Sequence, residues 1–387
     1  MQFLYLDNNA TTRPADEVVE VMNAALRENW ANPSSVHRQG QAVRQKLELA
    51  RESVCRLIGC RDRYLTFTSG GTEAANLAIL GSLESLPKRN VLVTTKLEHV
   101  AVRELADRME KKGVEVLWLA SQPDGVIEAD ALEAILNDRA GDIALVSVQW
   151  VNNETGVIQP VERFGAMCRE KGVRFHTDAT QRVGKMPVNV ADLPVDLLSF
   201  AAHKFHGPKG VGGLYAGRGV RISPQSIGGP QERERRGGTE NTPGILGFGV
   251  AADLARAWLE TDERERLASL RDEFEKTICS RCEETSINCF EAPRIWNTTN
   301  IAFHRLEAEA ILMLLSERGV CASAGAACSS GSLDPSPVLL AMGIPPEAAH
   351  GSVRFSLSRE TTQEELDQVT EIVPEAIGKL RKSMSTV

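Results

Sequence analysis

The sequence predicts an α/β protein: a mostly parallel sheet layered with helices, joined to a smaller α+β unit. Three observations carry this prediction. Short apolar runs alternate with longer helical stretches from about residue 14 to 258. Runs such as Ile143-Ala-Leu-Val-Ser-Val and Asn90-Val-Leu-Val are apolar at successive positions, which suits strands buried on both faces. Near residue 259 the alternation stops and a charged helical stretch begins.

In chain order, the candidate strands are 64–68, 91–95, 114–120, 143–150, 173–176, 197–200 and 211–215. Amphipathic stretches such as 39–58 and 161–171 lie between several of them, and strands separated by helices predict a parallel sheet. Glycines over 244–249 should precede a long charged helix within 251–285. A strand at 300–303, a helix at 307–318, a Gly/Ser/Ala segment at 322–332 and a strand at 352–357 follow. Thr361 with Glu364 reads as a capping box opening a final helix, which Pro374 should kink or interrupt. The expected division is a large domain, 14–258, and a small domain made of 1–13 and 259–387. No internal repeat or low-complexity segment is visible in the sequence.

Composition narrows the class. A chain of 387 residues has room for two or three domains, and 42% hydrophobic with 25% charged residues excludes a disordered or fibrous chain. A net charge of −8 disfavours a general nucleic-acid binder. No apolar run approaches the ~18–20 residues of a membrane span. Met1-Gln-Phe-Leu-Tyr-Leu-Asp lacks the basic start of a signal peptide, so a cytoplasmic location is expected. Eight irregularly spaced cysteines should then be mostly free thiols.

The strongest chemical signal is Asp196-Leu-Leu-Ser-Phe-Ala-Ala-His-Lys-Phe-His-Gly-Pro-Lys-Gly. An apolar strand ends and His203-Lys204 follow at once, then a turn and a second apolar strand. A lysine constrained there can be desolvated and activated as a Schiff-base amine, although alone it also reads as a surface lysine beside a turn. Phe175-His-Thr-Asp-Ala-Thr-Gln places Asp178 at another strand end, as a partner for a protonated pyridine nitrogen or as a helix N-cap. Thr68-Ser-Gly-Gly-Thr-Glu-Ala-Ala-Asn runs from a strand through a Gly-rich turn into a helix near Thr72, where backbone N–H groups attract phosphate. A phosphate cradle, a carboxylate and a lysine at strand ends of one sheet fit a pyridoxal phosphate site.

With these residues in view, the sequence resembles the cysteine desulfurases of aminotransferase class V, in the iron–sulfur-cluster and nitrogen-fixation branch. The matching stretches are Tyr5-Leu-Asp-Asn-Asn-Ala-Thr-Thr, Asn32-Pro-Ser-Ser, Phe67-Thr-Ser-Gly-Gly-Thr-Glu, Glu98-His-Val-Ala-Val and Val151-Asn-Asn-Glu-Thr-Gly. They continue with His176-Thr-Asp-Ala-Thr-Gln, His203-Lys-Phe-His-Gly-Pro-Lys-Gly, Arg236-Gly-Gly-Thr-Glu-Asn, Gly325-Ala-Ala-Cys-Ser-Ser-Gly and Val353-Arg-Phe-Ser-Leu. They run in order along nearly the whole chain.

The resemblance implies the fold type I of pyridoxal-phosphate transferases, with a mostly parallel seven-stranded sheet in the large domain. It implies that Lys204 binds pyridoxal 5′-phosphate covalently, that His99 stacks on the ring and handles protons, and that Asp178 pairs with the ring nitrogen. It further implies that Gln181 bonds the phenolate oxygen and that Gly71, Thr72 and His203 hold the phosphate. Thr239 should reach the phosphate of a neighbouring subunit, which makes a homodimer. Asn153 and Arg354 should bind the substrate carboxylate, a task that suits the planar arginine fork. From pattern alone Arg354 equally reads as a surface ion pair on an edge strand. Two departures stand out: Ala201 occupies a position where the family often has a phosphate-binding serine, and Gly228-Gly-Pro-Gln replaces a Gly-Gly-Gly-His seen in some relatives.

Cys328 sits among small residues that read as a loop, where a thiol can be exposed and nucleophilic, or else a small buried hydrophobe. The resemblance makes it the sulfur acceptor and a transient iron–sulfur ligand, with no resident metal expected. Cys279, Cys282 and Cys289 lack a convincing fourth zinc ligand. The implied activity converts L-cysteine to L-alanine and leaves a persulfide on Cys328, for an iron–sulfur scaffold or another sulfur acceptor. No membrane or direct nucleic-acid partner is expected. The alternative is a selenocysteine lyase or another class V lyase or aminotransferase. A non-catalytic scaffold would need neither Lys204 nor Asp178.

Overall fold

The structure, a computed structural model, describes residues 3–324 and 334–384. The chain opens with β1 (Leu4–Tyr5), α1 (Asp16–Glu28) and α2 (Arg38–Ile58). It then alternates through β2 (Leu65–Thr68), α3 (Gly71–Ser85), β3 (Val91–Thr95), α4 (Val100–Glu110), β4 (Glu115–Leu119), α5 (Ala129–Arg139), β5 (Ile143–Ser147), α6 (Val161–Glu170) and β6 (Phe175–Asp178), ending in β7 (Leu197–Ala201) and β8 (Gly212–Ala216). Strands β2 to β8 form one seven-stranded sheet in the order β2-β8-β7-β6-β5-β3-β4. Only β8 runs antiparallel to its neighbours. All residues of β3, β5 and β7 are buried, as strands covered by helices on both faces must be.

The second half holds the short turn α7 (Gln231–Glu234), α8 (Thr242–Leu259), α9 (Glu263–Arg281), β9 (Thr285–Ile287), β10 (Thr298–Phe303), α10 (Ala308–Glu317), β11 (Val320–Cys321), α11 (Pro337–Ala341), α12 (Pro346–His350), β12 (Ser352–Ser356) and α13 (Gln363–Met384). β12, β10 and β9 form an antiparallel sheet. β1 pairs with β11 in parallel, and Asp7 bridges to Ser356, so the N-terminal segment joins this half.

Four local expectations differ from what forms. Glycines 244–249 lie inside α8 instead of before it. A Cβ at Gly249 would come within 2.8 Å of Ala50 Cα, so glycine is what lets α8 pack closely on α2. The anticipated single charged helix is two, α8 and α9, broken at Glu260–Asp262 where the Thr261 hydroxyl bonds the Trp258 carbonyl. The capping box of α13 is one residue later than expected: Glu365 N–H donates to Thr362 Oγ1 and Thr362 N–H donates to Glu365 Oε2. Thr361 Oγ1 instead accepts from Ser358 N. Pro374 sits within α13, which runs through it unbroken.

The core anchors the strand that leads to the lysine. Phe67 on β2, Phe200 on β7 and Phe205 surround Phe248 of α8, with ring centroids 5.7–6.0 Å apart. Each buried aromatic of this size contributes roughly 1.5–3 kcal/mol. Among the described residues, no helix is long and apolar enough to cross a membrane.

Candidate active site

Five of the anticipated residues come together at the carboxyl edge of the parallel strands, the usual ligand position in an open α/β sheet. β7 ends at Ala201 and passes into a tight turn, Ala202–Lys204. Phe205, held against Phe248, fixes where that turn stops. Lys204 Nζ donates to the carbonyls of Asn9 (2.6 Å) and Ala10 (2.8 Å).

Asp178 ends β6 and is buried. Its Oδ1 accepts from Thr180 N at 2.9 Å, so it also caps the following turn. His99 is the N-cap of α4: its Nδ1 accepts from Ala101 N at 3.2 Å, which leaves Nε2 as the proton-bearing nitrogen of the neutral ring. Burial pushes the His99 pKa down, Asp178 opposes this, and Lys204 adds to it, so the ring is neutral at pH 7. His203 is driven down to about 3 by burial and then by Lys204, and its Nδ1 lies 3.2 Å from Thr11 Oγ1. Gln181 is buried, with Nε2 donating to Asn9 O at 3.0 Å.

At the neighbouring strand end, β2 leads through Gly70 into α3, which begins at Gly71 and carries Thr72 exposed on its first turn. A Cβ at Gly212 of β8 would lie 2.7 Å from Gly70 Cα, so only glycine lets this turn settle on the sheet. Ala201 is fully buried, and its Cβ lies 3.7 Å from where a Gly71 Cβ would stand. The missing serine hydroxyl is therefore missing beside the helix start.

Arg354, on β12, is 1% exposed, not a surface ion pair. Its Nη2 bonds Asp7 Oδ1 at 2.6 Å and its Nη1 bonds the Asn153 carbonyl at 2.9 Å. Asn153 Oδ1 accepts from Gln149 Nε2 at 3.2 Å. Both expected carboxylate binders thus share one hydrogen-bonded group, and Arg354 also contributes to the field at His99.

Thr239 is exposed. Its segment is braced by Gly238 N donating to Gln231 Oε1 (3.2 Å) and by Arg236 paired with Glu73 of α3 (2.9 Å). Gln231, which the sequence left without a role, therefore supports the loop carrying Thr239.

Cys328 lies outside the described residues. The seven described cysteines are free. Cys279 is in α9 and Cys282 follows its end, and burial first pushes Cys282 and Cys289 up to about 11, away from the thiolate a metal would need. No group of three or more potential metal ligands occurs among the described residues.

Sequence reasoning missed several site residues. Asn9 is the hub: its carbonyl takes Lys204 and Gln181, its Nδ2 reaches Asn153 O (3.1 Å) and Thr298 Oγ1 (2.9 Å), and its Oδ1 takes Lys185 (2.8 Å). It stood inside a quoted motif, but nothing in its pattern marked it. Glu98, fully buried, accepts from Gln149 N at 2.5 Å, and burial raises its pKa well above the carboxylate range. Glu154 is likewise raised by burial while accepting from Ser336 Oγ at 2.6 Å. A charged letter beside an apolar run was the one available signal for each.

The donor set fits a phosphorylated aromatic aldehyde. It offers an amine at Lys204, a buried carboxylate at Asp178, an amide at Gln181, a neutral imidazole at His99 and the N-terminus of a fifteen-residue helix at Gly71. The chain is 45% identical over 382 residues to the cysteine desulfurase NifS of Azotobacter vinelandii, covering 98% of this chain and 94% of that one. A solved NifS-like protein superposes with a TM-score of 0.90 at 34% identity, covering 97% of this chain and all of that one. SspA, solved in complex with cysteine, gives 0.80 at 32% identity, covering 92% of this chain and 99% of that one. The aminotransferase class-V model matches residues 4–369, and the chain belongs to that family.

Proposed function

We infer that this protein is a cysteine desulfurase that uses pyridoxal 5′-phosphate to turn L-cysteine into L-alanine and places the released sulfur on Cys328 as a persulfide. The observation that carries this reading is the gathering of Lys204, Asp178 and His99 at one sheet edge, with Arg354 and Asn153 beside them. Bound at Lys204, the cofactor supplies an electron sink for the substrate's Cα. Asp178 would hold a proton at the ring nitrogen, and Gln181 would donate to the phenolate oxygen. The first-turn N–H groups of α3 with Thr72 and His203 would hold the phosphate. Arg354 and Asn153 would orient the substrate carboxylate. Lys204 Nζ would be the base that takes the Cα proton, and the neutral His99 ring would be a second proton carrier. The thiolate of Cys328 attacks the substrate sulfur: a Cys328 S–S bond forms, the Cβ–S bond breaks, and the carbon fragment leaves as alanine after taking up a proton. The persulfide would pass to an iron–sulfur scaffold or another acceptor protein.

Cys328→Ala is expected to keep cofactor and cysteine binding while losing sulfide release. Mass spectrometry of the native enzyme after cysteine should find the 328 peptide heavier by one sulfur, with alanine in equal amount. Undiminished sulfide release from the variant would remove Cys328 from this role.

The same reading divides the chain into a large domain, 14–258, and a small one, 1–13 with 259–387. The pairing of β1 with β11 supports assigning the N-terminal segment to the small domain. It also makes the protein a homodimer in which Thr239 reaches the partner's phosphate. In support, Trp30, Val36 and Ile227 are 80–94% exposed. A cavity of about 350 Å³ joins their two chain segments, lined by Pro33 and Ser34 on one side and Pro230 and Gln231 on the other. Sedimentation should give twice the chain mass, and Trp30→Asp should yield monomers that hold the cofactor more weakly. Monomers with native cofactor affinity would exclude this role for Thr239.

A further inference from the structure

Lys185 is a second lysine buried in the site, 5% exposed, and no step above uses it. Its backbone is pinned from both sides: its N–H donates to Arg182 O at 3.1 Å and its carbonyl accepts from Trp296 Nε1 at 2.9 Å. Its Nζ donates to Gln181 Oε1 at 2.6 Å and to Asn9 Oδ1 at 2.8 Å. Asn297 Nδ2 shares the same Asn9 oxygen at 3.0 Å. We propose that Lys185 is a positioning residue for the cofactor, holding the Gln181 amide in the one orientation that offers an N–H to the ring's phenolate oxygen. This rests on the reading that Gln181 donates to that oxygen.

The donor and acceptor inventory leaves little freedom. Lys185 Nζ donates to Asn9 Oδ1 and to Gln181 Oε1, and as an ammonium it can only donate, so it selects the carbonyl oxygen of Gln181. The carbonyl of Asn9 can only accept, so it selects the Gln181 nitrogen. Nε2 has two hydrogens; Asn9 engages one and the other remains for a ligand. A flipped amide would set Nε2 against the Nζ donors and Oε1 against the Asn9 carbonyl, leaving buried groups unsatisfied. Lys204 donates to that same Asn9 carbonyl, so one backbone oxygen registers the amide against the reactive amine. Burial, then the positive charges of Lys204 and Arg354, hold the Lys185 pKa well below that of an ordinary lysine. In the neutral amine the lone pair could accept from a flipped amide, and the constraint then comes from the Asn9 carbonyl, which still requires the Gln181 nitrogen.

The test is a double-mutant comparison with pyridoxal 5′-phosphate as the probe, reading cofactor dissociation and the position of the visible band of the reconstituted enzyme. Lys185→Met should weaken cofactor binding about tenfold and move the band. In a Gln181→Met background the same change should cost less than about twofold and leave the band where it was. Equal losses in both backgrounds would make Lys185 a structural residue only, and no loss in either would remove it from the site. If Lys185→Met does not fold, Lys185→Gln, which keeps an N–H donor on a shorter side chain, is read by the same comparison. Should Gln181→Met alone change neither quantity, the phenolate reading of Gln181 itself fails, which is separable from failure of the Lys185 proposal.

Discussion

Lys204→Ala is expected to lose the visible absorption of the cofactor-bound enzyme and to lower alanine formation by on the order of 10⁴-fold, because the proposed function makes this one residue both covalent anchor and proton carrier. The fold should survive. The Lys204 amine holds two loop carbonyls, and Asn9 O keeps its second donor, Gln181. The stability cost should therefore stay near that of lost hydrogen bonds, about 1–3 kcal/mol. Absorbance after reconstitution, single-turnover alanine and a thermal melt separate these effects. A variant that keeps the visible band would show that Lys204 is not the anchor. A variant that loses the band only because it is unfolded would show in the melt.

The second large effect concerns stability. Arg51 of α2 meets Glu232 in a bidentate pair at 2.9 and 2.7 Å, with both side chains about 95% buried. Glu232 Oε2 also accepts from Phe67 N at 2.8 Å, and the Arg51 guanidinium lies 4.5 Å from the Phe67 ring centroid. This pair straps down a strained turn: Glu232, Arg233 and Glu234 have φ of 48°, 58° and 64° without a glycine among them. The left-handed region costs roughly 1–2 kcal/mol per residue, so the turn persists only where its surroundings enforce it. Arg51→Met would strand a buried carboxylate and should destabilise the protein by about 3–5 kcal/mol. Adding Glu232→Gln should recover part of that loss, because it removes the orphaned charge. Denaturant midpoints give both numbers. Proteolysis around residues 231–241 should rise in the single variant, since the strap also supports the Thr239 segment. A loss below about 1 kcal/mol would mean that α2 and the turn are held by other contacts.

Much of the fold was legible because of its solvent exposure. Strands covered on both faces must be apolar at consecutive positions, so 91–95 and a strand at 143–150, which forms over 143–147, announced themselves without any partner being known. The missed boundaries have the opposite character. Gly249 looks like a break until Ala50 is seen 2.8 Å from its missing Cβ. Thr361 and Thr362 are interchangeable as letters, and only the geometry of the chain entering α13 chooses the second. Pro374 does not interrupt α13, which continues on both sides of it.

The site divides in the same way. Lysine, aspartate and histidine at strand ends carry their chemistry in the residue type, and the order of motifs along the chain singled out Lys204, Asp178 and His99 as candidates before any contact was known. That Arg354 is clasped by Asp7 and Asn153, that Asn9 links the amine to the amide, and that Lys185 stands behind Gln181 follow from contacts between distant parts of the chain. A hydrogen bond depends on where two groups meet within about 3 Å, and a linear order of residues records which groups exist but not which of them meet.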